Sequence, residues 1–383
     1  MQKPSKLAQI PRIRFAGFTE NWERRKFGKL AVRESNCDIS SIDMPCVEYE
    51  DVIANEGQLN KDISLKEMQK KGIIFDGSQV LFGKLRPYLH NWLNPDFKGV
   101  AVGDWWVLRP IELDKNFLYR LIQTQQFDDI ANQSAGSKMP RADWNLIAET
   151  EFIVPSLIEE QNKIGELFAN LDNLITLHQR KVEKLQKIKK SCLQNLFPQN
   201  NQNTPKIRFK NFSDEWENKF LWEISSNIYQ PQTIQETDFT KFGYDVYGAN
   251  GIIGKYHSYN HELAQIAIAC RGNSCGIVNL TKNKVWITGN AMVINVDSIK
   301  NINKIFLYFL LYQTDFSYLI TGSGQPQITG NIKNHQCNLP KNLKEQEKIG
   351  AFFSKLDKLI SLQQRKVEKL KNIKKALLNK ILI

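Results

Sequence analysis

The sequence has 383 residues, of which 42% are hydrophobic and 24% charged, a composition typical of a globular chain with two or three domains. Its formal net charge of +12 favours a polyanion or an acidic protein as partner. The longest apolar run, Ile305 to Tyr312, is too short to span a bilayer, and no signal-peptide pattern is present. We therefore expect a soluble, cytoplasmic protein without a membrane partner.

The first part of the chain, residues 1–154, predicts a mixed α+β domain. Its predicted strands cover 72–81, 99–108 and 151–154, and its predicted helix covers 116–131. Two loops stand out between these elements. The loop at 82–88 is basic and aromatic, and the loop at 134–141 is polar with one lysine and one arginine.

Residues 155–198 predict one long helix. Proline opens the segment, and apolar residues then recur at heptad positions a, d and e, which forms a stripe wide enough to bury against a second helix. A helix of this length is roughly 60 Å long, far more than a compact domain usually contains.

The chain then repeats itself. Residues 199–339 predict a second mixed α+β domain and residues 340–383 a second long helix, which aligns with the first without a gap at an offset of 185 residues. The predicted strand regions of the second domain are 244–256, 265–280 and 285–296, its helix is 303–319, and a polar loop follows at 321–330. The predicted core of the helix pair comprises Leu171, Leu174, Leu185 and Ile188 with Leu356, Leu359, Leu370 and Ile373.

The excess positive charge is concentrated on the two long helices. Each of the windows 178–190 and 363–375 contains six Lys or Arg and one Glu, so each contributes +5 of the total +12. Such a face suits DNA phosphates or an acidic protein surface. A solvated helix face without a partner is the alternative.

The sequence shows no convincing catalytic motif. A P-loop ending in Gly-Lys-Ser/Thr and a G-x-S-x-G elbow are both missing, and the carboxylates are scattered. The six cysteines form no C-x-x-C pair and read as reduced thiols, and His257 and His261 stand four apart without a second ligand pair, so we expect no metal site.

Several polar loops instead carry the residue types that read base edges in the major groove of DNA. Arginine and lysine suit guanine, asparagine and glutamine suit adenine, and serine and threonine serve as general partners. Ordinary solvated turns remain the alternative at each position. The candidate DNA-binding residues are Lys84, Arg86, Tyr88, Lys138, Arg141, Tyr247, Asn250, Lys255, Tyr256, Arg271, Asn273, Ser274, Gln325, Gln327 and Thr329.

Three duplicated motifs resemble the specificity (S) subunits of type I restriction–modification systems. I-R-F-x-x-F-x-x-x-W occurs at 13–22 and 207–216, and E-Q-x-K-I-G occurs at 160–165 and 345–350. The run L-D-x-L-I-x-L-x-Q-R-K occurs at 171–181 and 356–366. The loops FGKLRPY at 82–88 and GSGQPQI at 322–328 are similar to motifs of the family's target-recognition domains, and 136–141 is a less typical version of the second.

The resemblance implies two pseudo-symmetric recognition domains separated by two antiparallel helices, each domain reading one half of a bipartite DNA target. It implies two methyltransferase subunits and restriction subunits as partners of a non-catalytic chain. S-adenosylmethionine, ATP and Mg²⁺ would serve those partners, and this chain would hold no cofactor.

Two other classes of function remain open at this stage. A coiled-coil adaptor with two protein-binding domains would bind without the steep salt dependence of DNA affinity. A self-contained methyltransferase or nuclease would be active as the purified chain alone, and the missing motifs argue against it.

Overall fold

The computed structural model describes residues 11–66, 69–133, 138–199, 202–322 and 325–382. The chain divides into two compact units, Met1–Gln179 with Arg365–Ile383, and Arg180–Gln364. The boundary between the units falls within both long helices, so each unit contains one mixed α/β region and half of each helix. We call them the first unit and the second unit.

Among the described residues, the α/β region of the first unit contains twelve short strands. They are β1 (Glu23–Lys26), β2 (Ala31–Glu34), β3 (Cys37–Ile39), β4 (Cys46–Val47), β5 (Val52–Ile53), β6 (Gln58–Leu59), β7 (Lys71–Phe75), β8 (Val80–Gly83), β9 (Trp92–Leu93), β10 (Gly99–Ala101), β11 (Trp105–Pro110) and β12 (Glu151–Val154). One antiparallel sheet has the order β2-β11-β8-β9, and a second sheet has the order β3-β7-β10-β4 with β10 parallel to β4. Strand β1 pairs with β12, and β5 with β6.

In the described part of the chain, five α-helices accompany these strands. They are α1 (Phe27–Leu30), α2 (Lys115–Leu121), α3 (Gln125–Ala131), α4 (Trp144–Glu149) and the long helix α5 (Ile158–Asn195). The prediction of a single helix over 116–131 is wrong, because α2 and α3 divide this segment. The Thr124 side chain accepts a hydrogen bond from the Phe127 backbone N–H, and this cap starts a new helix in the middle of the apolar pattern.

The strand predicted over 72–81 is also divided, into β7 and β8. A turn separates them, in which Ser78 donates its backbone N–H and its hydroxyl to the Asp76 carboxylate at 2.9 and 2.6 Å. Gly77 in this turn has a φ of 91°, which glycine adopts readily.

The second unit repeats the four-stranded antiparallel sheet of the first unit, and its other sheet is smaller. Its strands are β13 (Glu217–Phe220), β14 (Asn227–Tyr229), β15 (Tyr244–Gly248), β16 (Gly251–Tyr256), β17 (Ile266–Ala269), β18 (Val278–Leu280), β19 (Trp286–Ile287), β20 (Ala291–Asn295) and β21 (Gln336–Leu339). Helix α6 (Lys304–Tyr312) ends earlier than the predicted 319, and α7 (Leu343–Ile381) is the second long helix. The antiparallel order β14-β20-β17-β18 matches β2-β11-β8-β9, while the other sheet has the order β16-β15-β19.

The start of each long helix fastens the α/β region of its own unit. In the first unit Arg14 donates two hydrogen bonds to the Glu160 carboxylate, at 2.6 and 2.8 Å, and Glu160 is 1% exposed. Gln161 accepts the Asp114 backbone N–H at 2.9 Å, just before α2 begins. The duplicated I-R-F and E-Q-x-K-I-G motifs are therefore a buried structural joint.

The second unit repeats this joint. Arg208 donates to Glu345 with two bonds of 2.7 Å, and Gln346 accepts the Asn303 backbone N–H at 2.8 Å. Because a buried carboxylate needs its cation, we attribute the duplication of both motifs to this ion pair.

The two long helices are antiparallel, since the first half of α5 shares a unit with the last half of α7. In the first unit Ile164 and Phe168 lie in one core with Ile381 and Leu382, and Asp172 pairs with Lys374 at 2.6 Å.

In the second unit the start of α7 packs against the end of α5. Ile349 and Phe353 lie in one core with Leu196 and Phe197, and Lys189 pairs with Asp357 at 2.6 Å. All these residues are related to those of the first unit by the offset of 185, so the two helix contacts are copies of each other.

Half of the predicted helix-pair core is exposed, which corrects the prediction. Leu171 and Leu356 are buried, and Leu185 and Leu370 are half-buried. The exposed four are Leu174 at 44%, Ile188 at 40%, Leu359 at 45% and Ile373 at 38%. The apolar stripe is wider than the surface that the partner helix and the α/β region cover, so one edge of it faces solvent on each helix.

Candidate nucleic-acid interface

In the first unit two predicted loops are tied together by their backbones. The Arg86 N–H donates to the Pro140 carbonyl at 2.7 Å, and the Ala142 N–H donates to the Lys84 carbonyl at 2.8 Å. The loop that follows β8 is thereby paired with residues 140–142, and the bonded residues are 54 and 58 positions apart in the chain. We call this backbone pairing the first clamp. Residues 134–137 of the second loop lie outside the described residues.

The first clamp presents cationic and aromatic side chains. Arg86 and Lys138 are exposed, and Tyr88 is 50% exposed. Lys84 and Arg141 both pair with one carboxylate, that of Asp104. The Lys84 Nζ lies 3.4 Å from Asp104 Oδ1, and the Arg141 Nη2 lies 3.0 Å from Asp104 Oδ2.

Asp104 keeps its negative charge at neutral pH. The hydrogen bond from Arg141, followed by the charges of Arg141 and Lys84, lowers the pKa of this carboxyl below its usual value. The sequence offered no signal for Asp104, because a carboxylate is not a typical reader of guanine or phosphate and it lies far from both cations in the chain.

The second unit contains the same clamp with other side chains. The Gly272 N–H donates to the Pro326 carbonyl at 2.9 Å, and the Ile328 N–H donates to the Cys270 carbonyl at 3.0 Å. All four positions follow those of the first clamp at an offset of 186. Residues 323 and 324 of the loop lie outside the described residues. A single backbone framework therefore presents two different sets of side chains.

The side chains of this second clamp are polar and carry a single cation. Arg271, Asn273, Gln325, Gln327 and Thr329 are exposed, and Ser274 is half-buried. Arg271 takes the place of Leu85, and Gln327 takes the place of Arg141.

Arg271, Gln327 and Thr329 line a concave surface that encloses a volume of about 620 Å³. Other residues of this surface were not predicted from the sequence. The missed residues include Trp222, Gln230 and Lys333. Trp222 is 56% exposed, and its ring stacks on Phe220 with 12° between the planes. Trp222 and Gln230 come from the chain around β14, which pairing with β20 brings beside the clamp, and no local sequence pattern predicts that pairing. Lys333 follows the clamp loop in the chain, and its carbonyl accepts the Trp222 N–H at 3.0 Å.

Four predicted residues lie apart from the second clamp, on the hairpin of β15 and β16. Tyr247 is only 7% exposed and packs in a core cluster with Ala267 and Val293, so we correct its assignment to a core residue. Lys255 pairs with Asp245 at 2.9 Å.

The other two residues of the hairpin differ in exposure. Asn250 is exposed, whereas Tyr256 is half-buried with its ring 5.0 Å from that of Trp286. None of the four is among the described residues that line the concave surface.

His261, one of the two histidines that stand four apart in the sequence, is hydrogen-bonded within the second unit. His261 Nε2 lies 2.8 Å from the Tyr229 hydroxyl and Nδ1 lies 2.6 Å from Asn260 Oδ1, so both ring nitrogens have protein partners. Within the described ranges no group of three or more His, Cys, Asp or Glu could hold a metal ion. The described part of the chain also contains no helix with the length and apolar character of a bilayer span.

Comparison with known proteins identifies the family. The family model for the type I restriction modification DNA specificity domain matches residues 19–187 and again residues 193–372. The chain belongs to this family. The type I restriction enzyme MjaVIII specificity subunit of Methanocaldococcus jannaschii is 22% identical over 361 residues, which cover 84% of this chain and 80% of the relative.

Two solved structures support the fold. The S subunit of a type I restriction–modification system from M. genitalium has a TM-score of 0.69 at 16% identity, and the match covers 98% of this chain and 99% of that one. A chain from a structure of type I restriction–modification complex assembly and conformational transition has a TM-score of 0.52 at 16% identity, covering 94% and 97%.

Membership in the specificity family settles the class of function. The chain is a DNA target-recognition subunit of a type I restriction–modification system, and it is not itself an enzyme. Its partners are DNA and the other subunits of such a system. The alternatives of a protein-binding adaptor and of a self-contained enzyme are not favoured.

Proposed function

We propose that each unit reads one half of a bipartite DNA target through its own clamp, and that the pair of readings directs adenine methylation and restriction by partner subunits. One observation carries the proposal. The two clamps share their backbone hydrogen bonds at an offset of 186, but they present Leu85 and Arg141 in one unit and Arg271 and Gln327 in the other. A constant framework with different side chains suits two readers of different sequences.

In this proposal the clamp side chains read the bases, and the helices and loop edges contact the phosphates. Guanine offers two acceptors to arginine, and adenine pairs well with glutamine, so the two clamps favour different bases. The exposed cations of the long helices, such as Lys184 and Lys369, supply charge that does not depend on sequence.

The partners of the chain are two methyltransferase subunits and the restriction subunits. Each unit has exposed apolar side chains on both of its helix halves, which we call its patch, and a methyltransferase subunit would dock on them. The first patch consists of Leu174, Leu177 and Ile373, and the second patch consists of Leu359, Leu362 and Ile188. The two patches correspond at the offset of 185, which suits two copies of one partner.

No cofactor is assigned to this chain. S-adenosylmethionine is the methyl donor of the methyltransferase partners, and ATP and Mg²⁺ serve the restriction partners.

Substitutions within one clamp test the proposed division of the target. Arg271→Ala with Gln327→Ala changes only the second clamp, and Arg86→Ala with Arg141→Ala changes only the first. Each pair should relax one half-site and leave the other intact, because each clamp reads alone. Discrimination should fall by about 1–3 kcal/mol per lost base contact.

The readout is sequencing of methylated adenines in cells that carry each variant and its methyltransferase. Lys184→Ala, a change on an exposed helix face, is the control, and it should weaken binding to all sequences alike. Relaxation of both half-sites by either double variant would contradict the proposal.

A further inference from the structure

Asp104 lies at the centre of the first clamp, although nothing in the sequence singles it out. Its side chain holds Lys84 at 3.4 Å, and it receives two hydrogen bonds from Arg141, at 3.3 Å from Nε and 3.0 Å from Nη2. Its backbone carbonyl also accepts the Lys84 N–H at 2.9 Å. One residue thus fixes both halves of the clamp.

The backbone of Asp104 is itself well anchored. The Tyr49 hydroxyl donates to the Asp104 carbonyl and accepts the Leu85 N–H at 3.0 Å. The Tyr49 ring packs edge-on against Trp105, with 4.6 Å between ring centroids. Asp104 is therefore a rigid support for the two cations and not a mobile surface acid.

The second unit keeps this arrangement of backbone but removes its charges. Asn290 follows Asp104 at the offset of 186, and its carbonyl accepts the Cys270 N–H at 3.0 Å, as the Asp104 carbonyl accepts that of Lys84. In the first unit the three positions are Lys84, Asp104 and Arg141, with a net charge of 2 − 1 = +1. In the second unit they are Cys270, Asn290 and Gln327, with no charge. All three charged residues of the first unit are thus replaced by uncharged residues in the second unit.

A fixed guanidinium suits guanine in particular. The planar fork of arginine matches the O6 and N7 acceptors of guanine, and a fork that is already ordered loses less entropy when it binds. A carboxylate beside the fork also repels phosphate, so it weakens binding to DNA of the wrong sequence. For both reasons, the Asp104 carboxylate increases the preference of the first clamp for its target over DNA of another sequence.

We propose that Asp104 is a positioning residue that holds Arg141 and Lys84 to read a guanine in the half-site of the first unit, whereas the second clamp, in which Gln327 replaces Arg141, reads a different base there. The inference rests on the proposed function, that the clamps contact DNA. It goes beyond that function in naming the base and the residue that sets its selection.

The test is Asp104→Asn in the full chain assembled with its methyltransferase. Methylation rates are measured on duplexes in which each base pair of the target is replaced in turn, together with Kd for target and random duplexes. Discrimination at one guanine of the first half-site should fall about tenfold, the equivalent of 1.4 kcal/mol. Affinity for random DNA should rise about two- to fivefold, because one repulsive charge is lost.

Two variants serve as controls. Asp104→Glu keeps the charge and should restore most of the discrimination, and it also decides the question if Asp104→Asn does not fold. Asp245→Asn removes a carboxylate of the second unit that likewise holds two lysines, Lys255 at 2.9 Å and Lys282 at 3.1 Å. It should leave the first half-site unchanged.

The outcomes separate the inference from the proposed function. If Arg141→Ala abolishes discrimination but Asp104→Asn does not alter it, the role of Asp104 is overturned and the reading by clamps stands. Loss of discrimination at a base other than guanine overturns the assignment of the base. If neither Asp104→Asn nor Arg141→Ala changes either half-site, the proposed function itself fails.

Discussion

At the scale of single residues, the clamp position held by Arg86 shows a conflict between folding and binding. Arg86 has a φ of 49°, in the left-handed region, and its counterpart in the second clamp is Gly272, with a φ of 75°. A side chain in this region costs on the order of 1 kcal/mol, and glycine adopts it without strain. An exposed arginine at a strained position suggests selection for binding.

Arg86→Gly should therefore weaken DNA binding without destabilising the protein. The guanidinium is lost, whereas relief of the backbone strain keeps the melting temperature at or above that of the parent. Kd for target DNA and thermal unfolding are measured together. Arg86→Ala is the matched control, because it loses the same side-chain charge but keeps the strain. A lower melting temperature for the glycine variant than for the alanine variant would refute this account.

At the scale of elements, the start of each long helix requires a glycine because another helix begins against it. A Cβ added at Gly165 would lie 2.5 Å from the Asp114 carboxylate and 2.7 Å from the Asn116 Cβ. At Gly350 the nearest atoms are the Asn303 side-chain oxygen and the Phe306 nitrogen, both at 3.0 Å. The joint of the second unit is thus slightly looser.

Gly165→Ala should destabilise the protein by about 1–3 kcal/mol, the usual effect of forcing a methyl group into packed structure. Gly350→Ala should cost less, because its neighbours need to move only a few tenths of an ångström. Urea unfolding monitored by circular dichroism compares the two. Gly330→Ala, where an added methyl meets no atom within 4 Å, is the control and should have little effect. Equal losses at positions 165 and 350 would contradict the explanation.

Sequence patterns predicted the large elements better than their details. The offset of 185 identified both long helices, because a helical stripe that occurs twice is a strong signal. The break at Thr124 was missed because a single side-chain cap overrode an apolar pattern that continued through it. The clamps could be predicted as polar loops, but Asp104 and Trp222 could not be assigned to them, since distant strand pairing brings these residues there.

At the scale of the whole molecule, the duplication predicts how many methyltransferase subunits the chain binds. The patch residues Leu174 and Leu359 are 44% and 45% exposed, and they are copies of each other. Burial of one leucine in an interface contributes about 1.5–3 kcal/mol, so under the docking proposed above a patch that is no longer apolar would lose its partner subunit. The number of bound methyltransferase subunits should therefore follow the number of intact patches.

Leu174→Lys and Leu359→Lys should each release one methyltransferase subunit, and the double variant should release both, because a lysine cannot be buried there without a partner charge. The affinity of each altered patch should fall at least about tenfold. Native mass spectrometry of the chain mixed with its methyltransferase counts the bound subunits directly. Ile42→Lys, at a position 90% exposed and outside the helices, is the charge-matched control. A single variant that releases both subunits, or a double variant that retains both, would show that the patches are not the docking sites.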